Sequence, residues 1–187
     1  MPDIVVIAGP NGAGKSTLAP YLLRDTLGIL EYVNADTIAE GLSAFAPENA
    51  SFEAGRVMLS RLRELAADRQ DFAFETTLAT RSYARWLKGL QTDGYRLSLV
   101  FLYLRKVETA IERVNARVRL GGHAIPEETI RRRFDRGRRN LFELYLPLAN
   151  AWRVFDASPL EPMEVSRYTE ATGEKVFHME TWNEIQS

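Results

Sequence analysis

The run Ile4-Val5-Val6-Ile7-Ala8 and the loop Gly9-Pro10-Asn11-Gly12-Ala13-Gly14-Lys15-Ser16-Thr17 constrain the fold more than any other part of the chain. The run is mostly β-branched and lacks polar alternation, so it reads as a strand buried on both faces, as in a parallel sheet. The loop fits G-x-x-x-x-G-K-[ST]. Its glycines let the backbone curl so that successive N–H groups converge on one anion, and the following helix adds its N-terminal partial positive charge. Lys15 is expected to reach the β- and γ-phosphates of a nucleoside triphosphate and to face solvent in the empty site. Ser16 is expected to hold Mg²⁺ through its hydroxyl. Residues 9–17 are therefore the candidate nucleotide-binding loop, with ATP and Mg²⁺ as candidate cofactors. The rival is a glycine-rich turn with a chance lysine; a buried strand leading in and a helix leading out argue against it.

The rest of the chain alternates strands and helices. A helix is expected over 15–27, ended by Gly28, then a short strand over 30–33 that delivers Asn34 and Asp36 to its C-terminal end. A helix over 51–68 would bury Phe52, Val57, Leu59, Leu62 and Leu65. A strand over 72–74 ends at Glu75, a helix over 81–93 closes at Gly94, and 97–104 is the longest apolar strand. A strand over 152–155 and a hairpin over 163–179 turning at Thr172-Gly173 complete the pattern. The alternation predicts an α/β fold of the P-loop NTPase, nucleotide-kinase-like type: a parallel sheet flanked by helices, with right-handed crossovers. A helical lid is expected over about 106–145 and a C-terminal β-hairpin over about 160–182, within a single domain spanning 1–187.

Composition removes several chemistries. The absence of cysteine excludes disulfides, thiolate-metal sites and a cysteine nucleophile. The only histidines, His123 and His178, are too far apart in sequence to suggest a histidine metal site. A formal net charge of −1 argues against a whole-molecule nucleic-acid surface. Met1-Pro2-Asp3 carries no basic region, and the apolar run after it is too short for a signal core or a membrane span. That predicts a cytoplasmic protein with no membrane association.

Ligands of open α/β sheets bind at the carboxyl ends of the strands, where Asp36 and Glu75 fall. An alcohol acceptor needs a carboxylate to orient its hydroxyl and take its proton, and Asp36 is the candidate base. An N-cap role in Asp36-Thr37-Ile38-Ala39 is its rival. Glu75 is expected to bind acceptor hydroxyls or to support Mg²⁺ through water; a solvated loop residue is the alternative. Asn34, Thr76 and Thr77 join Asp36 and Glu75 as candidate substrate-binding residues.

Val107, Ile111, Val114 and Val118 form an apolar stripe, with Arg113 and Arg117 four residues apart on an adjoining face. After Gly121-Gly122-His123, Pro126 opens a second helix with Ile130, Phe134 and Leu141 inward. Around it lie Arg131, Arg132, Arg133, Arg136, Arg138 and Arg139. Arginines brought over the γ-phosphate would stabilise transition-state charge. Arg113 and Arg117 are the catalytic candidates, Arg133 and Arg136 are assigned to the nucleotide, and Arg132 and Arg139 are expected to point away. A salt-bridged surface and an RNA- or DNA-binding cluster are the rivals; the latter lacks interleaved aromatic residues.

The loop, Asn34-Ala35-Asp36, Phe74-Glu75-Thr76-Thr77-Leu78 and the stretch 113–140 together resemble the zeta toxin family of P-loop kinases. The resemblance implies phosphorylation of UDP-N-acetylglucosamine or a related UDP-sugar with ATP and Mg²⁺, and a small inhibitory antitoxin as protein partner. It also implies that Asp36 is the base, Glu75 the substrate-binding acid, Lys15 the loop lysine and Arg117 the first lid arginine, with Arg113 close behind. Two features depart from the larger toxins. Ala79 stands where they carry an arginine, and Gly-Gly-His with an arginine-rich helix replaces their second-arginine segment. A kinase for another metabolite or an antibiotic, and a nucleotide-dependent switch with slow hydrolysis, are the alternative functions. ATP-binding cassette ATPases share the loop wording, but they need an LSGGQ-like segment and an apolar strand ending in Asp. This chain has no LSGGQ-like segment, and Arg105 follows its longest strand.

Overall fold

The computed structural model of the protein describes residues 1–44, 46–122 and 124–187, with the backbone only at 25, 26, 47 and 48. His123, and with it the histidine of the Gly-Gly-His joint, lies outside the described residues. The sheet has seven strands: β1 (Asp3–Ala8), β2 (Tyr32–Val33), β3 (Phe72–Thr76), β4 (Arg96–Tyr103), β5 (Ala151–Asp156), β6 (Met163–Thr169) and β7 (Gly173–Val176). Their spatial order is β2-β3-β1-β4-β5-β6-β7. The first five are mutually parallel, while β6 and β7 pair antiparallel at the far edge.

The alternation of β1 explains its continuous apolar run. Ile4, Val6 and Ala8 join one core layer, and Val5 and Ile7 join the layer on the opposite face. The first layer is roofed by α3 (Ser51–Ala67), α4 (Ser82–Thr92) and the C-terminal α7 (Met179–Gln186); the second is closed by α1 (Lys15–Pro20). Further along that side, α5 (Val107–Arg119) and α6 (Glu127–Asn140) pack Ala110, Val114 and Ile130 against Leu102 and Leu104. The short α2 (Ala35–Leu42) follows β2 directly.

Several expected boundaries move for identifiable reasons. The first helix stops being α-helical at Pro20, which has no N–H to donate, and winds on as a π-helix over Tyr21–Leu27 before Gly28 ends it in the left-handed region (φ 69°). Pro126 caps α6 rather than opening it. In α3 the buried stripe is Ala54, Met58, Leu62 and Leu65, whereas Phe52 is 80% exposed and Val57 and Leu59 also face solvent. Bulk alone misleads there: Ala54 and Met58 hold the inward phase at i, i+4 and i+8 with Leu62.

The expected hairpin ends at Val176, and the chain closes with α7 instead. Trp182 stacks on Trp152 of β5 at 5.5 Å between ring centroids, and Ile185 is buried beside it. Arg105 then ties α7 to the end of β5, donating to Asp156 Oδ2 at 2.8 Å and to Thr181 Oγ1 at 2.9 Å. No helix among the described residues is long and apolar enough to cross a membrane.

Candidate active site

The centre of the sheet positions the site. β1 lies between β3 and β4, so the chain leaves to opposite sides of it, and the crevice this opens is where such sheets bind ligands. The glycine-rich loop leaves β1 at this crevice. Gly9 sits so close to β4 that a Cβ on it would stand 2.4 Å from the Leu102 carbonyl oxygen, and its φ of 145° suits glycine alone. The loop seats Lys15 at the start of α1.

Lys15 does not face solvent as expected: it is buried, 5% exposed. Its ammonium donates to the Pro10 carbonyl at 2.9 Å and lies 3.6 Å from Glu75 Oε1. Burial lowers its pKa from the usual lysine value, an effect that the charges of Glu75 and Asp36 oppose. The loop folds its lysine onto internal acceptors because a long cation left without partners in this crevice would be costly.

Glu75 is the hub of a polar cluster. Its Oε2 accepts from Ser16 Oγ at 2.8 Å, Tyr32 OH at 2.6 Å and Asn34 Nδ2 at 3.0 Å. The Tyr32 phenol is pushed above its ordinary pKa by burial and by the Glu75 charge, so it stays a donor. Asn34 has a second task. As N-cap of α2 its Oδ1 accepts the Asp36 backbone N–H at 2.8 Å. The capping role weighed for Asp36 therefore belongs to Asn34, and the Asp36 carboxylate is directed elsewhere. Its Oδ2 lies 3.8 Å from Arg117 Nη1, with both side chains half-exposed.

Two adjoining cavities meet at these residues. One, of about 230 Å³, is lined by Asn11, Gly12, Gly14, Lys15, Ser16, Thr17, Asp36, Glu75, Arg113 and Arg117. The other, of about 340 Å³, is bounded by β3, α3, α4 and α6, and includes Asn34, Asp36, Glu75, Thr76 and Thr77. Asn11, Lys15, Asp36 and Glu75 border both. Asn11 is 9% exposed and its Oδ1 has no hydrogen-bond partner among the described residues. All five expected substrate-binding residues thus share one cavity.

The arginines divide differently from expectation. Arg113 donates to the carbonyls of Ala157 and Ser158, both at 2.8 Å, and touches Gly12 O at 3.5 Å. Its guanidinium is occupied in bracing the loop against the chain after β5. Arg133 and Arg136 line the larger cavity and not the loop cavity, and Arg132, expected to point away, lines it with them. Burial lowers the pKa of Arg133, an effect the Asp36 charge opposes. Arg131 pairs with Glu127 and Glu108, and Arg138 and Arg139 turn toward the C-terminal helix.

The wall that carries these arginines is tightly docked. A Cβ on Gly137 would stand 2.3 Å from the Thr77 carbonyl oxygen, so α6 lies directly on the loop after β3. Asn140 Nδ2 donates to Leu78 O at 2.7 Å, and Tyr145 OH donates to Thr80 O at 2.7 Å. Leu78 holds a φ of 57°, costly for a residue with a Cβ, and the Thr76 hydroxyl accepts its N–H. Tyr32, Met58, Thr80, Tyr83 and Arg132 belong to the site without having been expected there. Tertiary folding alone brings Met58, Tyr83 and Arg132 to the strand ends, and no local motif marks Tyr32 or Thr80.

A family model, Zeta toxin, matches residues 1–148. An uncharacterized protein of Haemophilus influenzae is 29% identical over 130 residues, covering 70% of this chain and 91% of its own. A chain of the AvrRxo1-ORF1:AvrRxo1-ORF2 complex with ATP superimposes with a TM-score of 0.81 at 18% identity. The match covers all of this chain, which spans 64% of the length of that one. A chain of the PezAT chromosomal toxin–antitoxin system of Streptococcus pneumoniae gives a TM-score of 0.69 at 16% identity, covering 100% of this chain and 77% of its own. At these identities the two structures share the fold.

Proposed function

The chain belongs to the zeta toxin family, and from that premise we propose that it is an ATP-dependent kinase that transfers the γ-phosphoryl group to a hydroxyl of a UDP-activated amino sugar such as UDP-N-acetylglucosamine. The observation that carries the reading is the shared border of the two cavities. Asp36 and Lys15 line both, so one carboxylate and one ammonium serve the donor and the acceptor at their point of contact.

Each residue then has a task. Lys15 leaves Pro10 O and turns to the β- and γ-phosphates, exchanging a neutral acceptor for an anionic one. Asp36 accepts a hydrogen bond from the acceptor hydroxyl at a carboxylate oxygen, aligns it in line with the γ-phosphorus and takes its proton as the new bond forms. Arg117, 3.8 Å from Asp36, covers the charge that develops on the phosphoryl oxygens. Asn34, Thr76 and Thr77 bound the acceptor side, and Glu75 faces both substrates.

The residues present fit Mg²⁺. Ser16 Oγ and the Glu75 carboxylate offer hard oxygen donors side by side. Among the described residues no group of three or more His, Cys, Asp or Glu could hold a metal ion, which suits a cation carried by the triphosphate. When bound, it supplies neutralisation of phosphate charge. The protein partner follows the family resemblance: a small antitoxin that blocks the site.

The deciding experiment incubates the purified chain with Mg²⁺ and ATP and follows ADP release over acceptor-free hydrolysis, with phosphorus NMR of the product. UDP-N-acetylglucosamine is expected to stimulate release and to gain a phosphomonoester. No stimulation by any sugar, nucleotide sugar or hydroxy acid in the panel would overturn the kinase reading and leave a nucleotide-dependent switch.

A further inference from the structure

The pattern G-x-x-x-x-G-K-[ST] leaves position 11 open, and the backbone gives no reason for asparagine there. Ala13 N–H donates to Pro10 O at 3.2 Å, closing a turn with Asn11 and Gly12 at its centre. Gly12 takes the left-handed position, with φ 77°, and Asn11 is spared it. Asparagine also serves turns by accepting the N–H two residues on. Here that N–H belongs to Ala13 and goes to Pro10 O, while Asn11 Oδ1 has no hydrogen-bond partner among the described residues. Both usual reasons for an asparagine in a turn are therefore missing.

Keeping the side chain is nonetheless unfavourable in the free protein. Asn11 is 9% exposed, so its amide oxygen has given up water without gaining a donor. The residue borders both cavities, as do Lys15, Asp36 and Glu75. The triphosphate cannot complete it, because phosphate oxygens accept hydrogen bonds and so does Oδ1. The Lys15 ammonium has acceptors of its own in Pro10 O and Glu75, and turns from them to the phosphates. What Oδ1 lacks is an O–H or N–H, and the molecule entering from the larger cavity is the one that carries them. Asp36 engages its reacting hydroxyl, and Oδ1 lies on the same border for the donor next to it.

We propose that Asn11 is a specificity-determining residue of the acceptor side, a role that rests on the kinase reading: its Oδ1 accepts a hydrogen bond from a second O–H or N–H of the acceptor, beside the hydroxyl that Asp36 engages. The side chain then serves the acceptor, while the backbone around it serves the nucleotide. A compound with the reacting hydroxyl but without the neighbouring donor leaves Oδ1 buried and unpaired in the complex, and is rejected for that reason.

Two variants test this. Asn11→Ala removes the amide, and Asn11→Leu replaces it with a branched apolar group. Each is expected to lower kcat/KM for UDP-N-acetylglucosamine by about 10–100-fold. Affinity for a non-hydrolysable ATP analogue should stay within about threefold, and Tm should not fall, because no internal hydrogen bond is lost. Derivatives of the acceptor lacking one hydroxyl or amide N–H at a time then locate the contact. One derivative should lose as much with the parent enzyme as Asn11→Ala loses with the intact acceptor, and should lose nothing further with Asn11→Ala. If another compound of the panel stimulates the parent instead, the series is made on that compound. Parent-like kcat/KM in both variants, or equal penalties for every derivative with parent and variant, would overturn the role. So would a loss of analogue affinity as large as the loss of turnover, which would put the amide on the donor side. Failure of the kinase reading shows differently, as a parent enzyme that no acceptor stimulates.

Discussion

Arg117 on α5 sets its guanidinium 3.8 Å from the Asp36 carboxylate on α2, spanning the border between the two cavities. Both side chains are about two-fifths exposed, so the pair adds little to folding stability. Its value lies in where it holds a charge. Arg113, one helical turn earlier, makes the contrast, because its guanidinium is spent on backbone carbonyls.

Arg117→Ala is therefore expected to lower kcat by about 10²–10³-fold with little change in ATP affinity or melting temperature. Arg113→Ala is expected to do the reverse. Losing its carbonyl contacts costs on the order of 2 kcal/mol, or about 4–8 °C in Tm, with a smaller fall in kcat. Steady-state kinetics beside thermal melts decide it; the same profile for both variants would refute the division of labour.

Asp36→Asn isolates the carboxylate. Because Asn34 provides the cap, this change should leave Tm within about 1 °C and lower the rate by about 10²–10⁴-fold. Asn34→Ala is the complement. It removes the cap and a donor to Glu75, costing about 1–2 kcal/mol of stability. A rate for Asp36→Asn within a few-fold of the parent would exclude a base role.

Lys15→Met should abolish turnover without lowering Tm. The folded-state pKa of Lys15 lies below its unfolded value, chiefly through burial. Wherever the pH lies below both values the buried ammonium counts against folding, and its contribution to stability rises as pH climbs from the folded pKa toward the ordinary lysine value. Denaturant melts between pH 7 and 10 should show the parent gaining stability relative to Lys15→Met. A parent that loses ground over that interval would contradict the assigned direction.

Gly137→Ala places a methyl against a backbone carbonyl that cannot swing aside, so α6 must shift. A loss of about 1–3 kcal/mol is expected, with weaker acceptor binding. Gly55→Ala, in α3 with open space around the new methyl, should raise stability by up to about 1 kcal/mol. Thermal melts of the two variants should move in opposite directions.

How much of this was legible in the sequence follows from the range of each interaction. The loop of residues 9–17, Asp36 and Glu75 are readable because a strand end and the turn after it lie in one short stretch of chain. The parallel α/β sheet followed from its alternation of elements. Tyr32 as a partner of Glu75 was not readable, because 43 residues separate them and only the β2–β3 pairing joins them. The arginines of α6 were visible as a cluster, but which of them face the cavity depends on a helical phase set by Gly137 and Asn140, neither of which is apolar. The same problem hid the C-terminal helix, whose inward residues Trp182 and Ile185 are too few to establish a period.

The shared border of the two cavities also governs how such an enzyme can diversify. Lys15, Asp36 and Glu75 touch both cavities, so on the proposed assignment altering any of them to admit a new acceptor also disturbs the triphosphate. Met58, Thr80, Tyr83, Arg132 and Arg136 border the larger cavity only, and on the same assignment can be exchanged while the donor half stays intact. Retargeting by directed evolution should therefore fix its substitutions on α3, α4, α6 and the loop after β3, and leave the residues that both substrates share untouched.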